Sequence, residues 1–163
     1  PDAVEEMRAE LGARGLENVI LVGYQPPAEV AGFLYAADVL YVPAIFENDF
    51  AGSLSGVLPL KVLPGTPLKL FDYLAAGRPI VSADQPITRD LLRHEHTALM
   101  CPPGDGAAAA AAIRRLLDDG ELAARLSDNA RAEAAEHTWR RRGEKMLAFL
   151  ERRLALSRGQ TFM

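Results

Sequence analysis

Four short apolar runs, separated by helix-forming stretches, constrain the fold of this chain more than any other feature. Each run has three or four residues, most of them apolar, and ends at glycine, proline or another turn-forming segment. The runs lie at 19–22, 39–42, 79–82 and 98–100. Short strands that alternate with helices indicate an α/β domain in which a parallel sheet has helices on both faces. In such sheets, ligands bind beyond the carboxyl ends of the strands.

The stretches around these runs have apolar residues at helical spacing. We expect helices at 2–14, 28–37, 66–76, 87–93, 107–117, 121–136 and 138–154. In the last of these, Trp139 is expected to anchor the helix in the core, and Met146, Leu147, Leu150 and Leu154 follow it at helical spacing. The chain then forms one domain over 1–156, followed by a flexible tail at 157–163.

The helix predicted at 66–76 has an amino end suited to an anion. Thr66 is a favourable N-cap residue, Pro67 fits the first helical position, and Gly77 suits the position after the last turn. The helix starts directly after Gly65, so its free N–H groups and the positive end of its dipole face the preceding loop. Such an end is a ready site for a phosphate group.

Lys69 and Asp72 lie three positions apart near this amino end, on one face of the predicted helix. A cation for phosphate and a carboxylate for sugar hydroxyls are the groups that a nucleotide-sugar site requires. The alternative from the residues alone is a capped helix with a solvated ion pair, worth roughly 0.2–0.5 kcal/mol.

Separate motifs fall at the predicted carboxyl edge of the sheet. Gly23 and Tyr24 follow the first run, Pro43 follows the second, and Asp84 follows the third. Residues 44–65 lead from the second run to the predicted anion-binding helix and contain three glycines and two prolines. We expect an active-site loop there, with a disordered or repositioned insert as the alternative.

Charge and cysteine content exclude several classes of function. The 163 residues include 18 Lys and Arg against 22 Asp and Glu, and the net charge of −4 disfavours a general nucleic-acid-binding surface. Cys101 is the single cysteine, which excludes an intrachain disulfide or a cysteine-rich metal cluster, and we interpret it as a packing residue. No apolar run reaches about 18 residues and no signal peptide opens the chain, so we expect a soluble, cytoplasmic domain.

Four segments in order resemble retaining glycosyltransferases of the GT-B fold, the glycosyl transferases group 1 class. The segments are E-N-V-I-L-V-G-Y at 17–24, A-A-D-V-L-Y-V-P at 36–43, T-P-L-K-L-F-D-Y-L-A-A-G-R-P-I-V-S at 66–82, and H-T-A-L-M-C-P-P-G-D at 96–105. The resemblance covers about residues 1–150. It implies a Rossmann-like, C-terminal, donor-binding domain that is truncated at its N-terminus. A missing N-terminal, acceptor-binding domain would be its partner, and the fragment alone would be inactive.

The donor that the resemblance implies, a nucleoside diphosphate sugar, matches these residues part by part. The base is expected at the backbone of Gly23 and Tyr24, and the ribose hydroxyls at Asp72. The diphosphate is expected to bind the backbone amides of Gly65, Thr66 and Leu68 and the side chain of Lys69. These groups would stabilise the negative charge that builds on the leaving diphosphate. No metal and no separate cofactor is required, because the nucleotide sugar is a substrate.

The chain departs from the family pattern at one acidic position. Asp72 falls on the second glutamate of an E-x7-E pattern, but Pro64 stands at the position of the first. The resemblance implies that the first acid contacts the transferred sugar, so the catalytic residue stays unknown, with Glu47 as a candidate replacement. A noncatalytic module that binds a nucleotide or a partner protein is one alternative function, and a GT-B-like sugar-nucleotide epimerase is another.

Two further groups of residues have simpler interpretations. His94, Glu95 and His96 are adjacent at a helix end and do not converge on one ion, so we expect no metal site. The basic runs at 140–142 and 152–153 lie on an amphipathic helix and are expected on a solvated face. Contact with the absent domain, or peripheral membrane contact with anionic headgroups, is the alternative.

Overall fold

The computed structural model describes residues 3–43 and 68–159. The chain divides into two compact units, Pro1–Phe33 and Leu34–Met163. The predicted active-site loop at 44–65, with Glu47 in it, lies outside the described residues.

The first helices follow the predicted pattern closely. Helix α1 spans Ala3–Ala13 and helix α2 spans Pro27–Ala36. Pro27 opens α2 at the first helical position, where its missing N–H leaves no hydrogen bond unmade. Both helices therefore lie within one residue of their predicted starts and ends.

The strand predicted at 19–22 is not formed, and that prediction is wrong. Val19 is 43% exposed, Ile20 83% and Val22 52%. An extended apolar run becomes a buried strand only where a neighbouring strand takes its hydrogen bonds and a helix covers its side chains. None of the described strands pairs with this segment.

The second unit contains a parallel sheet of three strands, β1 (Leu40–Val42), β2 (Ile80–Ala83) and β3 (Leu99–Cys101). The strands lie in the order β1-β2-β3, so β2 is central. Tyr41 is aligned with Val81, and Val81 with Leu99. The sheet confirms the strands predicted at 39–42, 79–82 and 98–100 to within a residue or so.

Five described helices complete the second unit together with the end of α2. They are α3 (Lys69–Ala76), α4 (Pro86–Arg89), α5 (Gly106–Asp118), α6 (Gly120–Glu136) and α7 (Trp139–Gly159). Side-chain caps fix three of their starts. Asp105 accepts a hydrogen bond from the Ala108 amide at 2.9 Å, and Asp119 accepts one from the Leu122 amide at 2.9 Å. Thr138 caps α7 as predicted, since its hydroxyl accepts from the Arg141 amide at 3.2 Å.

Helices cover both faces of the sheet, as the alternating pattern predicted. On one face, side chains of β1 and β2 pack with α3 and the carboxyl half of α6, in a cluster that includes Leu40, Val42, Leu70, Leu74, Ile80 and Ala130. On the other face, β2 and β3 pack with α5 and the amino half of α6, in a cluster that includes Val81, Leu99, Cys101, Ala109, Leu116 and Leu126. Helix α6 therefore contributes to both cores.

Helix α7 has the predicted position but not the predicted burial. Trp139 is 84% exposed, so its prediction as a core anchor is wrong. The other apolar residues at helical spacing, Met146, Leu147, Leu150 and Leu154, are exposed as well. Periodicity identifies the apolar face of a helix, but it does not show what covers that face. Among the described helices, none is long and apolar enough to cross a bilayer.

Candidate functional site

The topology of the second unit places the amino end of α3 at the carboxyl edge of the sheet. Helix α3 ends at Ala76, and β2 begins only four positions later, at Ile80. Gly77 makes this tight connection with a left-handed φ of 59°, and its N–H donates to the Leu74 carbonyl at 3.2 Å. Because α3 packs on the sheet and feeds directly into the start of β2, it runs antiparallel to the strands. Its amino end therefore lies at the edge where ligands bind in such sheets.

The described residues at the amino end of α3 are open to solvent. Leu68, just before the helix, is 81% exposed and already has helical dihedral angles of −55° and −34°. Its carbonyl accepts a hydrogen bond from the Phe71 amide at 3.1 Å. Gly65, Thr66 and Pro67 lie outside the described residues, so the capping predicted for them stays a prediction.

Lys69 and Asp72 are both exposed on α3, within its first turn. No ion pair joins them to each other or to any other residue in the described ranges 3–43 and 68–159, so the alternative of a surface ion pair is not observed. Burial, and secondarily the negative charge of Asp72, raises the pKa of the neighbouring Tyr73 phenol. Among the described residues, both charged side chains are therefore exposed and without an ion-pair partner.

The opposite face of α3 is held firmly by the core and by α6. Leu70 and Leu74 are fully buried. The Phe71 ring lies against the His137 ring, with centroids 5.6 Å apart and planes tilted by 58°. Arg131 of α6 places its guanidinium over Gly77, where an added Cβ would come within 2.5 Å of Nη2. These contacts fix the helix that carries Lys69 and Asp72.

A second polar group lies at the same edge, at the ends of β2 and β3. The Asp84 amide donates to the Cys101 carbonyl at 2.8 Å, which extends the sheet by one hydrogen bond. The Asp84 carboxylate accepts two hydrogen bonds from Arg89, at 2.6 and 2.9 Å. The pKa of Asp84 lies below its usual value, mainly because of these hydrogen bonds. No sequence pattern predicts this pair, because a separation of five positions is not a helical contact spacing.

Cys101 behaves as a packing residue, as predicted. The side chain is buried, and its thiol donates weakly to the Ser82 carbonyl at 3.5 Å. Burial, followed by the negative charge of Asp105, raises the pKa of the thiol. A thiol held protonated in this way is a poor nucleophile.

Gly23 and Tyr24 belong to the first unit of the chain. Gly23 has a left-handed φ of 66°, which a glycine adopts without strain. The Tyr24 side chain is 87% exposed. Their expected role at the base stays a prediction, as does the placement of the amides of Gly65 and Thr66.

The segment around His94, Glu95 and His96 forms a tightly bonded turn. His94 Nδ1 accepts a hydrogen bond from the Met100 amide at 2.9 Å. Glu95 has a φ of 56° and is held through its side chain by Arg115 at 2.6 Å, and hydrogen bonding to Arg115 lowers its pKa. Within the ranges that the structure describes, no three His, Cys, Asp or Glu side chains are grouped as metal ligands.

Comparison with known proteins gives a consistent family match. The family model described as "Glycosyl transferases group 1" matches residues 1–119. The amylovoran biosynthesis glycosyltransferase AmsK of Erwinia amylovora is 28% identical over 116 residues, which cover 71% of this chain and 26% of that protein. The lipopolysaccharide core biosynthesis glycosyltransferase LpsD of Rhizobium meliloti is 32% identical over 126 residues, 77% of this chain and 31% of that protein.

Solved structures resemble the fold of this chain. A sucrose-phosphate synthase from Thermosynechococcus elongatus superposes with a TM-score of 0.71 at 25% identity, over 96% of this chain and 36% of that one. The Anabaena protein HepE, crystallised in complex with UDP-glucose, superposes with a TM-score of 0.66 at 20% identity, over 83% of this chain and 32% of that one. The chain spans between about a quarter and a third of the length of the curated relatives it matches.

Proposed function

The chain belongs to the glycosyl transferases group 1 family, and we propose that it forms the donor-binding part of a glycosyltransferase. In this proposal, a nucleoside diphosphate sugar binds at the carboxyl edge of the sheet, and its sugar is transferred to an acceptor with retention of configuration. An acceptor-binding domain outside this chain and a cytoplasmic place of action are parts of the same proposal.

The observation that carries the proposal is the amino end of α3. It lies at the carboxyl edge of the sheet, and Leu68 beside it is 81% exposed. Lys69 and Asp72 extend from it without an ion pair to any described residue. A cation and free helical N–H groups suit a diphosphate, whereas a carboxylate suits the hydroxyls of a ribose. The position of the cation, the carboxylate and the helical N–H groups at a ligand-binding edge distinguishes α3 from an ordinary surface helix.

The chemistry of transfer defines what these groups must do. The bond between the anomeric carbon and the diphosphate oxygen breaks, and the acceptor hydroxyl bonds to the same carbon from the same face. The electron pair and the growing negative charge pass to the leaving diphosphate, and the acceptor hydroxyl gives up its proton. Lys69 and the backbone amides of Gly65, Thr66 and Leu68 would stabilise this charge without a metal. The catalytic residue remains unassigned because Pro64 occupies the position of the first family acid.

The nucleotides bound in similar solved structures supply a starting hypothesis for the base of the donor. HepE was crystallised with UDP-glucose and also with UDP. Uridine diphosphate sugars are therefore the first donors to test, with the ribose at Asp72. Guanosine diphosphate sugars form the comparison series.

A titration with a turnover assay tests the proposal. Uridine and guanosine diphosphates, with and without an attached sugar, are titrated into the full-length protein, with its acceptor-binding domain, and into its Lys69→Ala and Asp72→Ala variants. Loss of one charge-assisted contact is expected to weaken binding about ten- to a hundredfold. Lys145→Ala and Asp128→Ala remove the same side chains at exposed positions elsewhere and should bind like the wild type.

The outcomes separate the three candidate functions. Diphosphate release that depends on an acceptor supports the transferase, and interconversion of the sugar while it stays on the nucleotide would indicate the epimerase. Nucleotide binding that depends on Lys69, without turnover for any acceptor, would indicate the noncatalytic module. A wild-type protein that binds none of these nucleotides would contradict the donor site itself.

A further inference from the structure

Phe71 connects the helix that carries the donor-site residues to a group of polar side chains behind it. At about 100° of rotation per residue, Phe71 lies around α3 between the buried Leu70 and the exposed Asp72. Its ring is partly buried and packs on the core that α3 shares with α6. A shift of Phe71 would therefore turn the flank of α3 on which Asp72 lies.

His137 contacts the Phe71 ring from the carboxyl end of α6. The two ring centroids are 5.6 Å apart, and the ring planes are tilted by 58°. The backbone of His137 is held in place, because its N–H donates to the Ala134 carbonyl at 3.0 Å and closes the last turn of α6. The His137 ring therefore meets α3 from a fixed point on a neighbouring helix.

Glu133 and Arg93 orient the His137 ring. His137 Nε2 lies 3.2 Å from Glu133 Oε1, which belongs to the preceding turn of α6. The other carboxylate oxygen of Glu133 accepts a hydrogen bond from Arg93 Nη2 at 2.6 Å. Burial alone would raise the pKa of Glu133, but the hydrogen bond with His137 and the charge of Arg93 outweigh it and lower the pKa overall. The carboxylate is therefore ionised near neutral pH and holds both partners.

Arg93 is itself held by the turn that leads into β3. Its carbonyl accepts a hydrogen bond from the Thr97 amide at 3.0 Å, and its amide donates to the Thr97 hydroxyl at 2.9 Å. Thr97 is fully buried. Arg93, Glu133, His137 and Phe71 therefore form a continuous series of contacts that joins this turn and α6 to one flank of α3.

We propose that His137 is a positioning residue for the donor site, because it holds Phe71 and, through Phe71, the flank of α3 that carries the Asp72 carboxylate. This inference rests on the proposed function, which places the ribose hydroxyls of the donor at Asp72. A hydrogen bond to a carboxylate depends on distance and angle, so a small rotation of α3 would weaken it. Burial of Leu70 holds α3 on the sheet but has no direction of its own. The oriented ring of His137 is suited to fix the rotation of the helix.

A double-mutant cycle in the full-length protein tests this role. The affinity is measured by calorimetry for UDP or GDP, whichever the wild type binds more tightly. His137→Ala should weaken binding about three- to tenfold, which is part of the effect of about ten- to a hundredfold expected for Asp72→Ala. In the Asp72→Ala background the same change should cost less than about twofold, since the contact that His137 positions is already absent. His137→Phe keeps an aromatic ring against Phe71 and should recover part of the affinity.

His96→Ala is the matched control. His96 also lies beside α6, where its Nδ1 is 3.3 Å from Asn129 Nδ2. Among the described residues, no hydrogen bond or ring contact joins His96 to α3. The variant should therefore bind the nucleotide like the wild type. The urea midpoint of each variant separates lost stability from lost affinity, because a merely structural role of His137 would lower the midpoint in both backgrounds and leave the affinity of the folded protein unchanged.

The outcomes distinguish this inference from the proposed function. A wild type that binds neither nucleotide, or an Asp72→Ala variant that binds as tightly as the wild type, would contradict the donor site and this inference with it. An unchanged affinity in His137→Ala, or an equal loss in both backgrounds, would overturn the positioning role alone. If His137→Ala does not fold, Glu133→Ala takes its place, because it leaves the ring but removes the group that orients it. An affinity that Glu133→Ala leaves unchanged would then overturn the role.

Discussion

At the scale of single residues, two kinds of side chain lie at the carboxyl edge of the sheet. Some have hydrogen-bond partners in the fold, and others have no ion-pair partner among the described residues. Asp84 is held in two hydrogen bonds by Arg89, and Cys101 is buried with a raised thiol pKa. Lys69 and Asp72, in contrast, make no ion pair within the described part of the chain. A bound ligand is therefore expected to find its charged partners on α3, while Asp84 and Arg89 stabilise the edge.

The Asp84–Arg89 pair predicts a pH dependence. Hydrogen bonding to Arg89 lowers the pKa of Asp84 below its usual value of 3.8. A carboxyl group with a lowered pKa in the folded state stabilises the fold above its unfolded-state pKa, and this contribution is lost as the pH falls through the folded-state pKa. We expect the urea midpoint of the wild type to fall below about pH 4, and Asp84→Asn to remove part of that fall.

Arg89→Gln removes the other half of the pair and should have the same effect on the acid profile. Glu95 and Glu133 also have lowered pKa values, so some acid sensitivity should remain in both variants. If Asp84→Asn and the wild type lose stability in parallel below pH 4, with the midpoint followed at each pH by circular dichroism, the pair does not contribute as described.

At the scale of elements, the sequence predicted strands correctly where other described elements complete them. The runs at 39–42, 79–82 and 98–100 form one sheet, because each is hydrogen-bonded to a neighbour and covered by helices. The run at 19–22 has the same composition but no such neighbour among the described strands, and it stays exposed. The hydrophobic pattern indicates that a segment favours a strand, but the strand forms only where a neighbouring strand pairs with it.

The site could be predicted in part for a similar reason. The spacing of Lys69 and Asp72 on one helix face depends only on local helical geometry, so it was readable from the sequence. The partnership of Asp84 with Arg89 depends on how the chain turns after β2, which no periodicity encodes. The exposure of Trp139 depends on what packs against α7, and this too lies beyond the sequence pattern.

The carboxyl end of α3 makes a prediction about stability. Gly77 has a φ of 59°, and an added Cβ would come within 2.5 Å of Arg131 Nη2. The flexible arginine can move away, but the left-handed conformation still costs a non-glycine residue about 1–2 kcal/mol. Gly77→Ala should therefore lower the free energy of unfolding by about 1–2 kcal/mol in urea denaturation.

Gly120→Ala is the control for this change. Gly120 begins α6, has no left-handed φ, and an added Cβ there would meet no atom within 4 Å. Alanine is the better helix former, so the variant should be as stable as the wild type or up to about 1 kcal/mol more stable. Equal losses at Gly77 and Gly120 would show that the left-handed turn after α3 has no special role.

At the scale of the whole molecule, the family match and the fold agree. Residues 1–119 match the glycosyl transferases group 1 family, and the chain spans about a quarter to a third of its curated relatives. No catalytic residue is assigned among the described residues. The central claim is therefore about binding: the amino end of α3 holds the diphosphate of a nucleotide sugar.

Isothermal titration of UDP and of uridine into the wild type and Lys69→Ala tests this claim most directly. The two ligands differ only in the diphosphate, so their difference in affinity isolates the contact at α3. We predict that the wild type prefers UDP by about tenfold or more, and that Lys69→Ala reduces this preference about tenfold while it binds uridine unchanged. A variant that keeps the full preference for UDP, or that loses affinity for both ligands equally, would contradict the account.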